Sequence, residues 1–319
     1  MKRYLPHALA ALSMAAFATP VAHAGTLFRA YLASYGVDTN ACTVAAPCRL
    51  LPAALNAVAD KGEIWILDSA NYNAGQVDIA QNVSILAIPG VTASFVAAGS
   101  FPAITISTPS IKVSMRNVVI ANNASNPGTY GVQLNANSEL SMEECVFSNT
   151  VFDALNVNAG KANVRNSMFR NSGNFAVSAY NGSQVTISGS QMQGGYGGVD
   201  AENNAASSTT LVSVSDSIIS GQSQFGVHAL TGTSTSTSKI MLARSTVTGV
   251  GSAATHAGLY ANSLTGAPTI VVASSAVSGN YINFQQLNNG VIRTMGNNYI
   301  GDPVLVGGDV GSLTSFAPR

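Results

Sequence analysis

Two groups of side chains in this 319-residue sequence could carry chemistry, and neither is contiguous. Arg116, Glu143 and Arg165 lie 27 and 22 residues apart. If each interval is one turn of a repeating backbone, a carboxylate stands between two guanidinium groups. A guanidinium is a planar fork of donors that fits a carboxylate, so this trio suits recognition of an acidic sugar, with Glu143 as partner. It equally makes a plain surface ladder of ion pairs worth about 0 to 1 kcal/mol each. The second group is Asp200, Glu202 and His228, joined at related intervals by Asn156, Tyr180 and Tyr260. Asp200 and His228 would stand side by side on an outward face. Paired carboxylates divide acid and base roles in glycoside hydrolysis, and the rings offer platforms on which a sugar can stack. Scattered on an open sheet, the same residues would only solvate it.

What would bring these residues together is a repeat, the first thing to establish in any chain. Arg116–Asn122, Glu143–Asn149, Arg165–Asn171, Ser188–Gly194, Ser215–Gly221, Ala243–Gly249, Ala273–Gly279 and Met295–Gly301 align without gaps. Their apolar anchors are Ile120, Phe147, Phe169, Met192, Ile219, Val247, Val277 and Tyr299, at intervals of 27, 22, 23, 27, 28, 30 and 22 residues. A second apolar mark follows each anchor, as in Gly131-Val132, Ala176-Val177 and Gly226-Val227, and a third strand precedes it, as in Val185-Thr186-Ile187. Three strands per repeat predict a triangular solenoid of about eight coils. One coil cannot bury its own apolar face, whereas a stack can. The recurring Asn122, Asn149 and Asn171, replaced by Gly in later coils, predict a turn with left-handed backbone. No helical periodicity occurs between anchors, which excludes a leucine-rich-repeat or α/β reading.

Composition agrees with extended structure. Charged residues are 9% of the chain, far below the usual quarter, and Ser, Thr, Asn, Gln and Gly supply the polarity. The inward serines Ser167, Ser190, Ser217, Ser245 and Ser275 predict stacked hydroxyls satisfying one another, not nucleophiles, because no His or acid recurs beside them. Gly194 to Gly198 reads as a turn, since no helix follows to cradle a phosphate. His256 falls in a lengthened loop without an evident partner. Cys42 and Cys48 flank a short loop that a disulfide could close, while Cys145 reads as a small core residue. No metal site is predicted from the cysteines, and no cofactor is evident. Calcium is conceivable, but Glu143 and Glu144 alone make no ligand cluster.

The chain opens with Lys2 and Arg3, an apolar run from Ala8 to Ala18, and Ala22-His23-Ala24, the three regions of a secretory signal. Residues 1–24 are expected to be removed, sending the protein to the periplasm, the cell surface or beyond. Without Lys2 and Arg3, 12 basic residues face 14 acidic ones, a formal charge of −2. Such a chain has no electrostatic reason to hold nucleic acid, and no segment is long and apolar enough to span a bilayer. Residues 25–319 are expected to form one domain, with 25–63 as N-terminal lead-in and cap and 64–319 as coils. Leu51, Ala54, Leu55 and Val58 lie at helical spacing, so a short helix should close the first coil.

Tyr31–Asp38, Ala46–Leu55, Gly62–Leu67 and Tyr72, taken with the coils, resemble bacterial proteins of the pectin-lyase-like superfamily. The resemblance implies an all-β, single-domain, right-handed parallel β-helix. It does not imply an activity, since that superfamily holds pectate lyases, polygalacturonases, epimerases and phage tailspikes. The Asn-Thr-Asp, Asp-Asp, Gly-His-Gly and Arg-Ile-Lys elements of polygalacturonases are missing. Trp65-Ile66-Leu67-Asp68 only superficially resembles the Trp-Ile-Asp-His of pectate lyases. No catalytic residue carries over. The expectation is a secreted or surface protein that binds polysaccharide along its long face, and whether it also cleaves it, as a lyase or hydrolase, stays open. The competing reading is a structural or adhesive module without turnover.

Overall fold

The computed structural model describes residues 25–305 and 308–315, so the expected signal segment lies outside the described residues. The chain winds into three long sheets in which every paired strand is parallel to its neighbour. One coil runs, for example, from Lys112–Arg116 to Val118–Asn122 to Val132–Leu134. Those strands belong to a 12-stranded sheet, a 10-stranded sheet and a 9-stranded sheet, called sheets 1, 2 and 3 below. Neighbours within each sheet are equivalent strands one coil apart, which makes the molecule a parallel β-helix.

Alternation of side chains drives the winding. In sheet 1, Val113, Leu140, Ala162, Val185, Val212, Ile240, Ile270 and Ile292 stack in register and are all buried. Each such column removes apolar surface from water at roughly 25 cal/mol per Å². The anchors do the same in sheet 2, where Phe147 lies flat on Phe169 with ring centroids 4.7 Å apart. Seven of the eight expected anchors occupy that column. The last is corrected by one residue: Val277 pairs with Ile300, and Tyr299 is 56% exposed. The coil count also rises. Sheet 2 has ten strands, because Ala70–Asn71 and Ala93–Ala97 precede the recognisable series.

The turn after sheet 2 is left-handed at Asn149, Asn171, Gly194, Gly221, Gly249 and Gly279, as expected, but not at Asn122, nor at Gly301, where Asp302 is the left-handed residue instead. Asn122 still belongs to a strand and accepts a hydrogen bond at Oδ1 from the Gly128 N–H. A second left-handed column, between sheets 1 and 2, runs through Asn117, Glu144, Asn166, Gly189, Asp216, Arg244 and Ser274. Of the Gly194 to Gly198 stretch, Gly194 and Gly195 turn, whereas Gly197 and Gly198 start the strand Gly197–Asn203.

The serine column is buried as expected, but its hydroxyls do not bond to one another. Ser190 Oγ donates to the Ser188 carbonyl at 2.9 Å and accepts from the Ser167 N–H at 3.1 Å. Ser217, Ser245 and Ser275 repeat the pattern. Cys145 occupies the next place in the same column, its N–H donating to Ser167 Oγ. At the N-terminal end, the helix Leu51–Ala57 buries Leu51, Ala54 and Leu55 against the first coils. Pro52 in its first turn needs no N–H partner. Strand Leu27–Leu32 adds a rung before Val58–Ile66, and a disulfide joins Cys42 to Cys48.

Candidate functional site

Sheet 3 places Asn156, Ser178, Asp200, His228 and Tyr260 in one column, each in register with the next. Their neighbours Val177, Val199, Val227 and Leu259 fill the core, so period-two alternation sends the column away from it. Asp200 and His228 are therefore adjacent, with His228 Nδ1 2.7 Å from Asp200 Oδ1. With the carboxylate ionised, Nδ1 carries the proton and Nε2 is left as the basic nitrogen. Among the described residues, Nε2 has no hydrogen-bond partner.

Rings cover this pair. Phe175 and Phe225 stack against His228 with centroids 5.6 and 5.0 Å away, Tyr196 meets both phenylalanines edge-on, and Tyr260 lies 5.3 Å from the imidazole. Phe175 and Phe225 belong to coils two apart, with Gly197 between them in the ladder. A Cβ on Gly197 would sit 2.2 Å from Phe175 Cδ1, so only glycine lets the ring lie over that rung. Asp200 is 1% exposed and the His228 side chain 12%.

Behind the pair, Asp153 is a second buried carboxylate. It accepts from the amides of Asn156 and Asn174 at 2.7 Å each and from the Phe175 N–H at 3.1 Å. Burial pushes its carboxyl up to about 6; the hydrogen bonds from Asn156 and the Phe175 N–H oppose the shift, and the Asp200 charge adds to it. Burial, then the charges of Asp153 and Asp200, raises the Tyr180 hydroxyl well above its ordinary range.

Sheet 1 presents a different face. Ser84, Ser114, Ser141, Asn163, Thr186 and Ser213 form an outward row of hydroxyls and amides. From Ser84 to Thr186 that row floors a groove of about 1000 Å³, whose rim holds Lys61, Lys112 and Lys161 together with Asp60 and Glu139, and Glu139 pairs with Lys112 at 2.9 Å. A further hollow of about 540 Å³ continues it past Lys239 to Arg293, over the apolar Leu211, Met241 and Val271. Arg116, Glu143 and Arg165 are in register two residues beyond the groove floor on the same face. The expected ladder is changed in its pairing. Arg116 holds Glu144 in a two-point contact at 3.1 and 3.3 Å and approaches Glu143 only to 3.8 Å. The left-handed backbone of Glu144 brings its side chain to Arg116, and Arg165 forms no ion pair among the described residues.

Charge separates the two faces. The strands of sheet 1 hold eight basic residues and four acidic ones; those of sheet 3 hold Asp78, Asp200 and Glu202 and no Lys or Arg.

The right handed beta helix region, as a family model, matches residues 102–300. The chain belongs to the right handed beta helix family. Among solved structures, this beta helix is similar to the pectate lyase Pel9A at 13% identity and TM-score 0.60, covering 91% of this chain and 78% of that one. It is similar to a rhamnogalacturonan lyase at 11% identity and TM-score 0.62, covering 91% and 86%. At such identities the likeness is one of fold. No curated protein matches the sequence. The family also supplies the right-handedness expected from the sequence.

Within this beta helix, the predicted candidates divide between two sheets. Arg116, Glu143 and Arg165 stand on sheet 1; Asn156, Tyr180, Asp200, Glu202, His228 and Tyr260 belong to sheet 3. The expectation of an open outward face fails for Asn156 and Asp200, which are 3% and 1% exposed. Asn156 serves Asp153. Glu202 faces the Asn204 amide, and His256, expected without a partner, accepts from the Ser252 N–H at Nδ1 and edges onto Phe225. Sequence reasoning missed Asp153, Phe175 and Phe225. They immediately precede the second mark, at Ala154-Leu155, Ala176-Val177 and Gly226-Val227, so extending the alignment by one position finds them. Among the described residues, no three His, Cys, Asp or Glu side chains cluster as a metal site requires.

Proposed function

We propose that residues 25–319 act outside the cytoplasm as one solenoid domain that binds an acidic polysaccharide along sheet 1. The observation that carries this reading is the concentration of eight basic side chains on sheet 1, beside a groove floored by Ser, Thr and Asn. Residues 25–319, with 12 basic and 14 acidic side chains once Lys2 and Arg3 are left out, have no overall attraction for an anion. A face with a local excess of cations does, and low-dielectric walls focus it. Hydroxyls and amides at every rung offer hydrogen bonds to sugar hydroxyls, and the long groove suits a polymer. The structural neighbours named as lyases of pectate and of rhamnogalacturonan support a carbohydrate ligand. The Cys42–Cys48 disulfide and the signal-like residues 1–24 support export.

The test is binding to polygalacturonate and to an uncharged galactan at low and high salt, with and without calcium, while following new reducing ends and unsaturated-product absorbance. Tighter binding of polygalacturonate, weakened by salt and by Lys112→Glu with Lys161→Glu, is expected. Salt acts because exposed charges are screened within about 8 Å at physiological ionic strength. Equal binding of both polymers, or no effect of the paired reversal, refutes the reading. Unsaturated ends would add lyase turnover, new ends without them hydrolysis, and binding without products a non-enzymatic module.

A further inference from the structure

We propose that Asp200 and His228 form a proton-transfer site on sheet 3 that hydrolyses a carboxylic ester carried by an uncharged sugar. The inference is independent of the acidic polymer assigned to sheet 1. Four observations carry it. The Asp200 carboxylate, buried at 1% exposure, is 2.7 Å from His228 Nδ1 and so fixes which nitrogen is basic. The opposite nitrogen has no partner among the described residues, in a side chain that keeps 12% of its surface exposed. Around the imidazole, Phe225, Tyr196 and Tyr260 make a wall of rings that are only partly buried, the kind of surface on which a pyranose stacks. Finally, among the described residues no strand of sheet 3 carries a Lys or Arg, while Asp78, Asp200 and Glu202 do lie there. A uronate would meet repulsion on that face; a neutral sugar would not.

The groups present select the reaction. Glycoside hydrolysis requires a second carboxyl group free to protonate the departing oxygen. Here Asp200 is committed to His228, Asp153 to Asn156, Asn174 and the Phe175 N–H, and Glu202 to Asn204. Ester hydrolysis runs on one base. Water gives a proton to Nε2 as its oxygen adds to the carbonyl carbon. The bond between that carbon and the sugar oxygen then breaks, and the sugar oxygen takes the proton from Nε2, leaving a carboxylic acid and an alcohol. Ser178 lies on the far side of Asp200 from His228 in the column, so water, not a serine, is the nucleophile.

The experiment measures acetate released by the full-length protein from acetylated glucomannan and from methyl 6-O-acetyl-glucopyranoside, beside His228→Asn, Asp200→Asn and, as control, Arg170→Ala. Expected is release by the wild type and the control, with losses on the order of 100-fold or more in both site variants. Because His228 also packs between rings, a second measurement uses the wild type alone. In ¹⁵N-histidine NMR, the His228 resonances should report the proton on Nδ1 and shift when the methyl glycoside is added. No acetate from either substrate, release undiminished in His228→Asn, or His228 resonances unmoved by the sugar would overturn the proposal. Binding of polygalacturonate is unaffected by any of these results, so a failure here and a failure on sheet 1 are told apart.

Discussion

Asp153 should make the protein less stable as neutral pH is approached, and the size of the effect can be worked out. Its folded carboxyl is pushed from the ordinary 3.8 up to about 6, by burial first. Between those values the folded state holds more protons than the unfolded one, so stability falls as pH rises. The contribution is fully present below about 3.8 and is lost as pH climbs through about 6. A shift of about two units corresponds to about 3 kcal/mol at 1.36 kcal/mol per unit. At about 2.1 cal/mol/K of unfolding entropy per residue, that is roughly 5 °C in Tm for a domain of this size. The assay is a set of denaturant and thermal melts at pH 4, 5, 6 and 7 on the wild type and on Asp153→Asn, which cannot ionise. Other groups titrate in both proteins, so the difference between the two curves isolates Asp153. The wild type should lose about 2 kcal/mol more than the variant between pH 4 and pH 7, the rest of the loss falling below that range. Parallel curves, or a wild type gaining stability relative to the variant as pH rises, would refute the assignment of a buried, desolvated carboxyl.

Three further outcomes are expected. Cys145→Ser should change stability by less than about 1 kcal/mol in urea melts, because serine is the native occupant of that column in the next five coils; the native thiol, with its ionisation raised to about 11 by burial, should resist iodoacetamide until the protein unfolds. Gly198→Ala should cost about 1 to 3 kcal/mol, since its Cβ would fall 2.5 Å from the Gly226 carbonyl oxygen and 2.6 Å from Ile219 Cγ2, and a melting temperature within error of the wild type would show that the coils separate easily. Glu144→Gln should move stability by less than about 1 kcal/mol, because its contact with Arg116 is about half exposed.

What the sequence makes legible follows from what the members of a column have in common. Seven anchors were found because each must be apolar and buried. The Asn and Gly turn was found because a left-handed backbone restricts residue type. The companion turn through Asn117, Glu144, Asn166, Gly189, Asp216, Arg244 and Ser274 is not legible in the sequence, since six residue types adopt the same conformation there. Tyr299 was mistaken for an anchor because an aromatic residue satisfies the apolar pattern, while the actual register puts Ile300 against Val277. The adjacency of Asp200 and His228 could be derived by counting alone. The ring layer against His228 could not, because it depends on Phe175 leaning across Gly197, a contact between coils that no periodicity encodes.

The uneven distribution of charge between sheets 1 and 3 also bears on how the molecule lies against a surface. Cations along one flank and only acids on another give the rod an electric moment across its axis. On an anionic matrix, such a rod settles at one roll angle with its basic flank down, even where no single contact is specific. Asp200 and His228, on another flank of the prism, would then be held off that matrix and left open to whatever diffuses above it.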